Sequence, residues 1–364
     1  MRKSSLSFLF IVFVLLQFGC NSSIEVKNLK EITSFPLEYS LVGDPTGPKN
    51  FFLRTRKVKF VDSLLVVVDT KKSPYSVFLI NPYAKDTLYS IAHNGLGPSE
   101  FITAWDVAPD SHNPRAFWVI DPNPRSFSFY EIDSILKGEL KPTRRFNVKS
   151  RDFLPDDFEI LENAVITAGS ETRSMLKFFS LKDGVLLKES DKIPITVDYK
   201  GRYDDYFLAS AYNGRLGLHP KRDRIVVATT DGDYLSIVDS TGKRLVTLRT
   251  HEKLEPQFYE RNDSQFGFTD ENKYGYLDIA CTNQYIYGLY SGREHDGDVE
   301  YTGKTLFVFT WEGEPVAKLT LDRYCIGICV DSDDKTLFAL EVFAKQPIIR
   351  YDLLDFDSVL NTDN

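Results

Sequence analysis

The 364-residue sequence is poor in methionine (2), tryptophan (3), cysteine (4) and histidine (5). No two of the histidines His93, His112, His219, His251 and His295 fall at HxH or HExxH spacing, and no cysteine pair has a neighbouring histidine, so the usual zinc constellations are missing. A Gly-x-Ser-x-Gly nucleophile elbow is also absent. Lys and Arg total 44 against 52 Asp and Glu, a formal charge of −8 that excludes a general nucleic-acid binder. With 21 Gly and 17 Pro the chain is neither collagen-like nor of low complexity, and 42% hydrophobic residues exclude a disordered one. Helical periodicity is almost absent, and past residue 20 no apolar run approaches the eighteen or so residues of a membrane span. What the chain has instead is 27 Phe and 19 Tyr, set in short β-branched runs.

The first twenty residues stand apart. Arg2 and Lys3 precede an apolar stretch from Leu6 to Leu16, too short to span a ~30 Å hydrocarbon core comfortably, which runs into Gly19-Cys20. This segment resembles a bacterial lipoprotein signal, although Gln17 stands where Leu is usual and Phe18 is bulky. The resemblance implies removal of residues 1–19 and lipidation of Cys20; an ordinary secretory signal and a retained anchor are the alternatives. Processing removes Arg2 and Lys3 and no acid, so the mature chain is more acidic still. Residues 20–30 read as a polar tether, and Asn21 in place of Asp favours the outer membrane, on either its periplasmic or its surface face.

From residue 31 to 364 the sequence reads as one all-β domain. Strand-like runs begin at Leu64, Ala116, Ala164, Arg224, Tyr285 and Thr336, and each is followed by a hairpin partner: Ser76–Ile80, Ser126–Tyr130, Leu176–Ser180, Tyr234–Val238, Thr305–Phe309 and Pro347–Tyr351. Spacings of 48 to 61 residues between units of about four strands describe propeller blades, and six units give a six-bladed β-propeller. The sixth unit holds only three strands before the chain ends. An N-terminal strand is expected to complete that last blade, with Ile32–Ser40 as the candidate and Pro36 acceptable on an edge.

Three cysteines remain in this domain. Cys325 and Cys329 would lie ~13 Å apart along one strand, too far to bridge. Buried free thiols are expected, with a bridge from Cys281 to one of them open where strands align.

Between the first two units stands Asn94-Gly95-Leu96-Gly97-Pro98-Ser99-Glu100-Phe101, which reads as a tight connection whose glycines permit positive φ. No βαβ unit surrounds it, so its GxG is not a dinucleotide site. The run, with Phe60-Val61-Asp62-Ser63-Leu64-Leu65 before it, resembles the signature of TolB-like six-bladed propeller lipoproteins of Bacteroides-type bacteria, Ser99 replacing a family Gly. The resemblance implies an exported propeller, often tied to nutrient handling or surface interaction, and no particular reaction, cofactor or metal.

Function is therefore expected to be binding of a ligand or protein partner by a monomeric, lipid-anchored module, with an unknown protein or glycan as partner. The alternative is a hydrolase or lyase acting on glycans or lactones with a funnel-bound cation, for which Asp106 and Asp278 on inner strands are the candidates. The nearest approach to a sialidase box, Asp331–Thr336, lacks its Gly and Trp. Glu294–Glu300 is rich in oxygen ligands but reads first as a solvated hairpin tip. Two long connections, 199–212 and 251–276, mix aromatics with Arg and Asp. Their Arg202, Tyr203, Tyr206, Tyr212, Phe258, Tyr259, Arg261 and Phe266 form the candidate binding face, against the simpler reading that they cover the ring's own apolar edge.

Overall fold

The computed structural model describes residues 26–359 apart from 84–86, 149–156, 169–172, 200–201, 263–264, 296–300 and 357. The signal segment and Cys20 lie outside the described residues.

Six blades of antiparallel strands form the ring. Blade 1 is Thr55–Val61, Leu64–Asp69, Tyr75–Ile80 and Thr87–His93, from the inside outward. Blade 2 spans Asp106–Asn147, blade 3 Phe158–Glu189 and blade 4 Gly214–Thr250 on the same pattern. All six runs identified from sequence are the second strands. In Leu64–Asp69 and Ala116–Asp121 every residue is buried. A blade packed between two neighbours has no solvent face, so its middle strands are continuously apolar rather than alternating. The acidic residue closing such a run ties a blade together: Asp69 Oδ2 accepts from Leu53 N and Arg54 N, while its Oδ1 accepts from Lys71 N and Lys72 N.

Blades 5 and 6 share one strand. Pro315–Val330 runs for 16 residues, its first half pairing with Gly303–Thr310 and its last residues with Thr336–Glu341. It is the outer strand of blade 5 and the inner strand of blade 6.

The N-terminal segment does complete the last blade, but through Asp44–Thr46, which pairs antiparallel with Ile348–Asp352. The expected Ile32–Ser40 lies earlier along the rim. Leu29–Ile32 runs parallel to Arg244–Thr250 of blade 4, and Leu37–Leu41 runs parallel to the blade 5 half of the shared strand. Phe35 fixes this placement by stacking on Phe307 at 5.0 Å. The chain thus straps blades 4 and 5 before it closes the ring on blade 6.

The Asn94–Phe101 turn is tight for a different reason from the one expected. Positive φ falls on Ala92, not on the glycines. Glu100 folds back so that its Oε2 accepts from Gly97 N at 2.8 Å, and a Cβ at Gly95 would sit 2.0 Å from that same oxygen. The glycines make room for the Glu100 carboxylate, and Phe101 drops into the core.

Cys281, Cys325 and Cys329 are free thiols. Burial pushes the Cys325 thiol up to about 12 and raises the other two as well. Among the described residues no helix is long and apolar enough to cross a membrane.

Candidate functional site

The inner strands surround a channel, and period-two alternation decides what faces it. In Thr55–Val61, Val58 points into the core while Lys57 and Lys59 face the channel; Asp157 and Glu159 flank buried Phe158 in the same way. These charged groups are buried and matched. Lys57 Nζ lies 2.9 Å from Asp278 Oδ1 and 3.2 Å from Asp157 Oδ2, and Lys59 Nζ lies 2.8 Å from Glu159 Oε1. The carboxylates in turn accept from neighbouring backbones, Asp157 from Leu216 N and Asp278 from Ile328 N. The layer stitches blades 1, 3, 4, 5 and 6 across the axis.

Burial disfavours the Lys57 ammonium, but Asp106, Asp157 and Asp278 outweigh it, so Lys57 stays charged far above the ordinary lysine range. Burial likewise opposes the Asp157 carboxylate, and Lys57, Lys59 and Arg215 overcome it, holding Asp157 well below the usual carboxylate range. Asp106 goes the other way. Burial raises it well above the usual range, with Asp157 adding to the rise. Its Oδ1 accepts from Val107 N at 2.7 Å, while no N–H or O–H reaches its buried Oδ2. A proton on Asp106, donated toward Asp157, resolves both facts.

Above this layer, at the mouth where the inner strands begin, opens a cavity of about 360 Å³. Lys57, Asp106 and Asp278 form its floor. On its wall the Arg56 guanidinium lies 3.5 Å over the Trp105 ring, and Arg56 Nε donates to the Trp105 carbonyl. Across from them Arg215 Nη2 donates to the Tyr301 hydroxyl at 3.0 Å. Phe52, Leu53, Arg54 and Phe343 complete the rim. Phe343 is 77% exposed and holds φ at 56°, a conformation costly for an aromatic residue.

Asp106 and Asp278 do meet at the funnel, as the metal-dependent alternative required, but the Lys57 ammonium sits between the channel carboxylates where a cation would be held. Among the described residues no group of three potential ligands is arranged for a metal ion. In the Glu294–Glu300 loop, His295 pairs with Asp231 and stacks on Tyr274, and the remainder falls outside the described residues from 296 onward.

The candidate residues on the long connections assemble elsewhere, over the junction of blades 3 and 4. Tyr203 and Phe258 pack ring to ring at 4.7 Å against the core there, with Arg202 over Tyr203. Tyr212 is buried and donates to Glu255 at 2.7 Å. For these residues the simpler reading describes the structure: they cover the ring's edge. A short helix, Asp205–Ala211, capped by Asp204 accepting from Phe207 N, carries the covering apolar face. Tyr206, Tyr259 and Arg261 are exposed, and Phe266 has no described side chain. None of the seven with described side chains lines the funnel cavity. The funnel residues had a legible signal of their own: charged residues spaced two apart inside otherwise apolar strands.

A family model for TolB-like 6-blade propeller-like proteins matches residues 45–333. Among solved structures, a member of the DUF4221 family from Bacteroides vulgatus aligns at a TM-score of 0.56 with 12% identity, over 86% of this chain and 96% of that one. The U3-55K protein aligns at 0.50 with 9% identity, over 83% and 96%. At such identities the likeness shows the fold alone. No protein of curated function matches in sequence.

Proposed function

Because this chain belongs to the TolB-like six-bladed propeller family, whose ring supplies a funnel and no fixed chemistry, we propose that it is a binding module that takes a small ligand into the mouth of that funnel. The observation that carries the reading is Phe343, an exposed aromatic held at φ 56° on the rim of an aromatic-walled cavity of about 360 Å³. That volume is in the range of small-molecule sites, and backbone strain of this kind collects where a ligand repays it. Catalytic turnover is the competing reading, supported by the opposite displacement of Asp106 and Asp157.

The test is hydrogen exchange on the intact chain with and without the small molecules that co-elute from native preparations. Protection of peptides containing Trp105, Tyr301 and Phe343 is expected. Protection confined to other blades, or none, overturns the reading, and chemical change of the co-eluting molecule moves it to an enzyme.

We further propose export and lipid anchoring at Cys20, with an outer-membrane address and a part in nutrient capture; residues 1–21 alone support this. Leu29–Ile32 runs parallel to Arg244–Thr250, whose far end lies at the cavity side of the ring. An anchored chain would therefore join the ring from the opposite side, leaving the funnel mouth turned away from the bilayer. Cys20→Ser is expected to release the processed protein from membranes, and unchanged membrane association defeats the anchor.

A further inference from the structure

We propose that the funnel ligand is an uncharged aromatic compound, received among the rings of Phe52, Trp105, Tyr301 and Phe343. The proposal rests on the reading of the mouth as a binding site and names the class of molecule that enters it.

The first ground is that the floor of the mouth is electrically balanced. Lys57 Nζ sits between Asp157 and Asp278, and Lys59 pairs with Glu159. Arg215 joins the two lysines in keeping Asp157 charged, and the Asp106 proton is engaged by Asp157. Lys57, Lys59 and Arg215 thus answer Asp157, Glu159 and Asp278, with Asp106 neutral. On the wall Arg56 Nε donates to the Trp105 carbonyl and Arg215 Nη2 to the Tyr301 hydroxyl. A charged ligand would shed its water here against groups already engaged inside the protein, and burying a charge without a compensating partner is costly.

The second ground is the apolar remainder of the lining. Leu277, Ile326 and Pro347 lie among the rings of Phe52, Trp105 and Tyr301. Those rings are set before a ligand arrives. Phe52 meets Phe51 and Phe78 edge to face at 5.0 and 5.6 Å, and Tyr301 meets Tyr274 at 4.9 Å. Trp105 carries the Arg56 guanidinium at 3.5 Å. Groups fixed in advance cost less to order on binding. Phe343 is different: it is 77% exposed and, among the described residues, touches no other ring. Its ring is left for a further aromatic contact, edge-on or offset.

The third ground is size and stiffness. An apolar cavity of about 150 Å³ accepts benzene. At about 360 Å³ the mouth has room for a fused or linked pair of rings. A flat ring system enters without freezing rotatable bonds, whereas an acyl chain of equal volume loses rotamer freedom along its length.

The test measures binding of three compounds of one skeleton to the intact chain by calorimetry and thermal shift: β-naphthol, β-naphthoate and decahydro-β-naphthol. At neutral pH the first is uncharged and the second ionised. β-Naphthol is expected to bind about tenfold or more tightly than β-naphthoate, and about threefold or more tightly than its saturated counterpart. Phe343→Ala is expected to weaken β-naphthol binding by about threefold to tenfold with circular dichroism unchanged. Tyr259→Ala, which alters an exposed ring outside the mouth, is expected to leave binding as it was. β-Naphthoate binding as well as or better than β-naphthol overturns the uncharged ligand. The saturated alcohol binding as well as or better overturns the aromatic one, and either result leaves the binding module standing. Loss of binding in Tyr259→Ala but not in Phe343→Ala moves the site away from the mouth and overturns both readings. No binding by any of the three overturns the aromatic ligand, and the exchange protection given by co-eluting molecules then decides the binding module by itself.

Discussion

The Lys57 ammonium and the Asp278 carboxylate meet at 2.9 Å across 221 residues of chain, joining the inner strands of blades 1 and 5. Both are buried, so removing one leaves the other unmatched in a low-dielectric layer. Lys57→Met is expected to destabilise the fold by about 3–5 kcal/mol, and Lys57→Met with Asp278→Asn by less than the sum of the single changes. Urea unfolding measures both. A cost below about 1 kcal/mol for Lys57→Met would mean that the channel charges are solvated and hold nothing together.

The neighbouring carboxyls give the stability a pH dependence of known sign. Asp106 is raised in the fold, so its contribution is complete below an ordinary carboxyl pKa of about 4 and is lost as pH rises toward its folded value. Asp157 is lowered, so its contribution is present above that range and is lost as pH falls. Asn at position 106 copies the protonated acid and cannot ionise. Asp106→Asn should therefore lose less stability than the wild type between pH 5 and pH 8 (about the accessible window), measured by denaturant unfolding across that range. Parallel curves for the two proteins would show that Asp106 is charged throughout.

Much of this ring was legible in the sequence, and its failures have physical causes. The second strands were plain because burial on both faces makes them continuous runs, as in Leu64–Asp69. The closing strand was misassigned because Asp44-Pro45-Thr46 carries no apolar pattern: an edge strand of three residues needs little burial. The connection glycines read as permitting positive φ, whereas the demand came from Glu100, a side chain that only the folded turn brings close. The layer of channel charges was harder to read for a related reason. Aromatic density drew attention to Tyr203 and Phe258, which serve the core, whereas Lys57, Asp157 and Arg215 come from three blades and meet only when the ring closes.

Phe343 separates stability from binding. At φ 56° its backbone conformation costs an L-residue about 1–2 kcal/mol, and a ring 77% exposed recovers little of that by burial. Phe343→Gly relieves the strain, though glycine gains freedom in the unfolded chain worth about 0.5–1 kcal/mol. Glycine is expected to match or slightly exceed the wild type in stability, and Phe343→Ala, which keeps the strain and loses the ring, to be the least stable of the three. Both variants should bind funnel ligands more weakly. If Phe343→Ala is more stable than Phe343→Gly by about 0.5–1 kcal/mol, the difference expected from glycine's freedom in the unfolded chain alone, the φ at this position carries no strain.

The seam of the ring yields the last prediction. Gly43 leads into the closing strand Asp44–Thr46, and a Cβ there would stand 2.4 Å from Ile349 Cγ2 and 2.5 Å from the Tyr351 ring. Both neighbours belong to the third strand of blade 6 and are fully buried, so neither can swing aside. Gly43 N also donates to Asp322 Oδ1, which accepts from the Tyr351 hydroxyl at 2.9 Å. Gly43→Val is expected to cost about 1–3 kcal/mol or more through overpacking, with faster hydrogen exchange concentrated in Ile348–Asp352. Phe35→Ala removes a stacking contact from the strap while leaving the closing strand in place, so its effect should be smaller and should localise to blade 5. The opposite order would mean that the strap along blades 4 and 5, and not the three-residue closure, holds the ring shut.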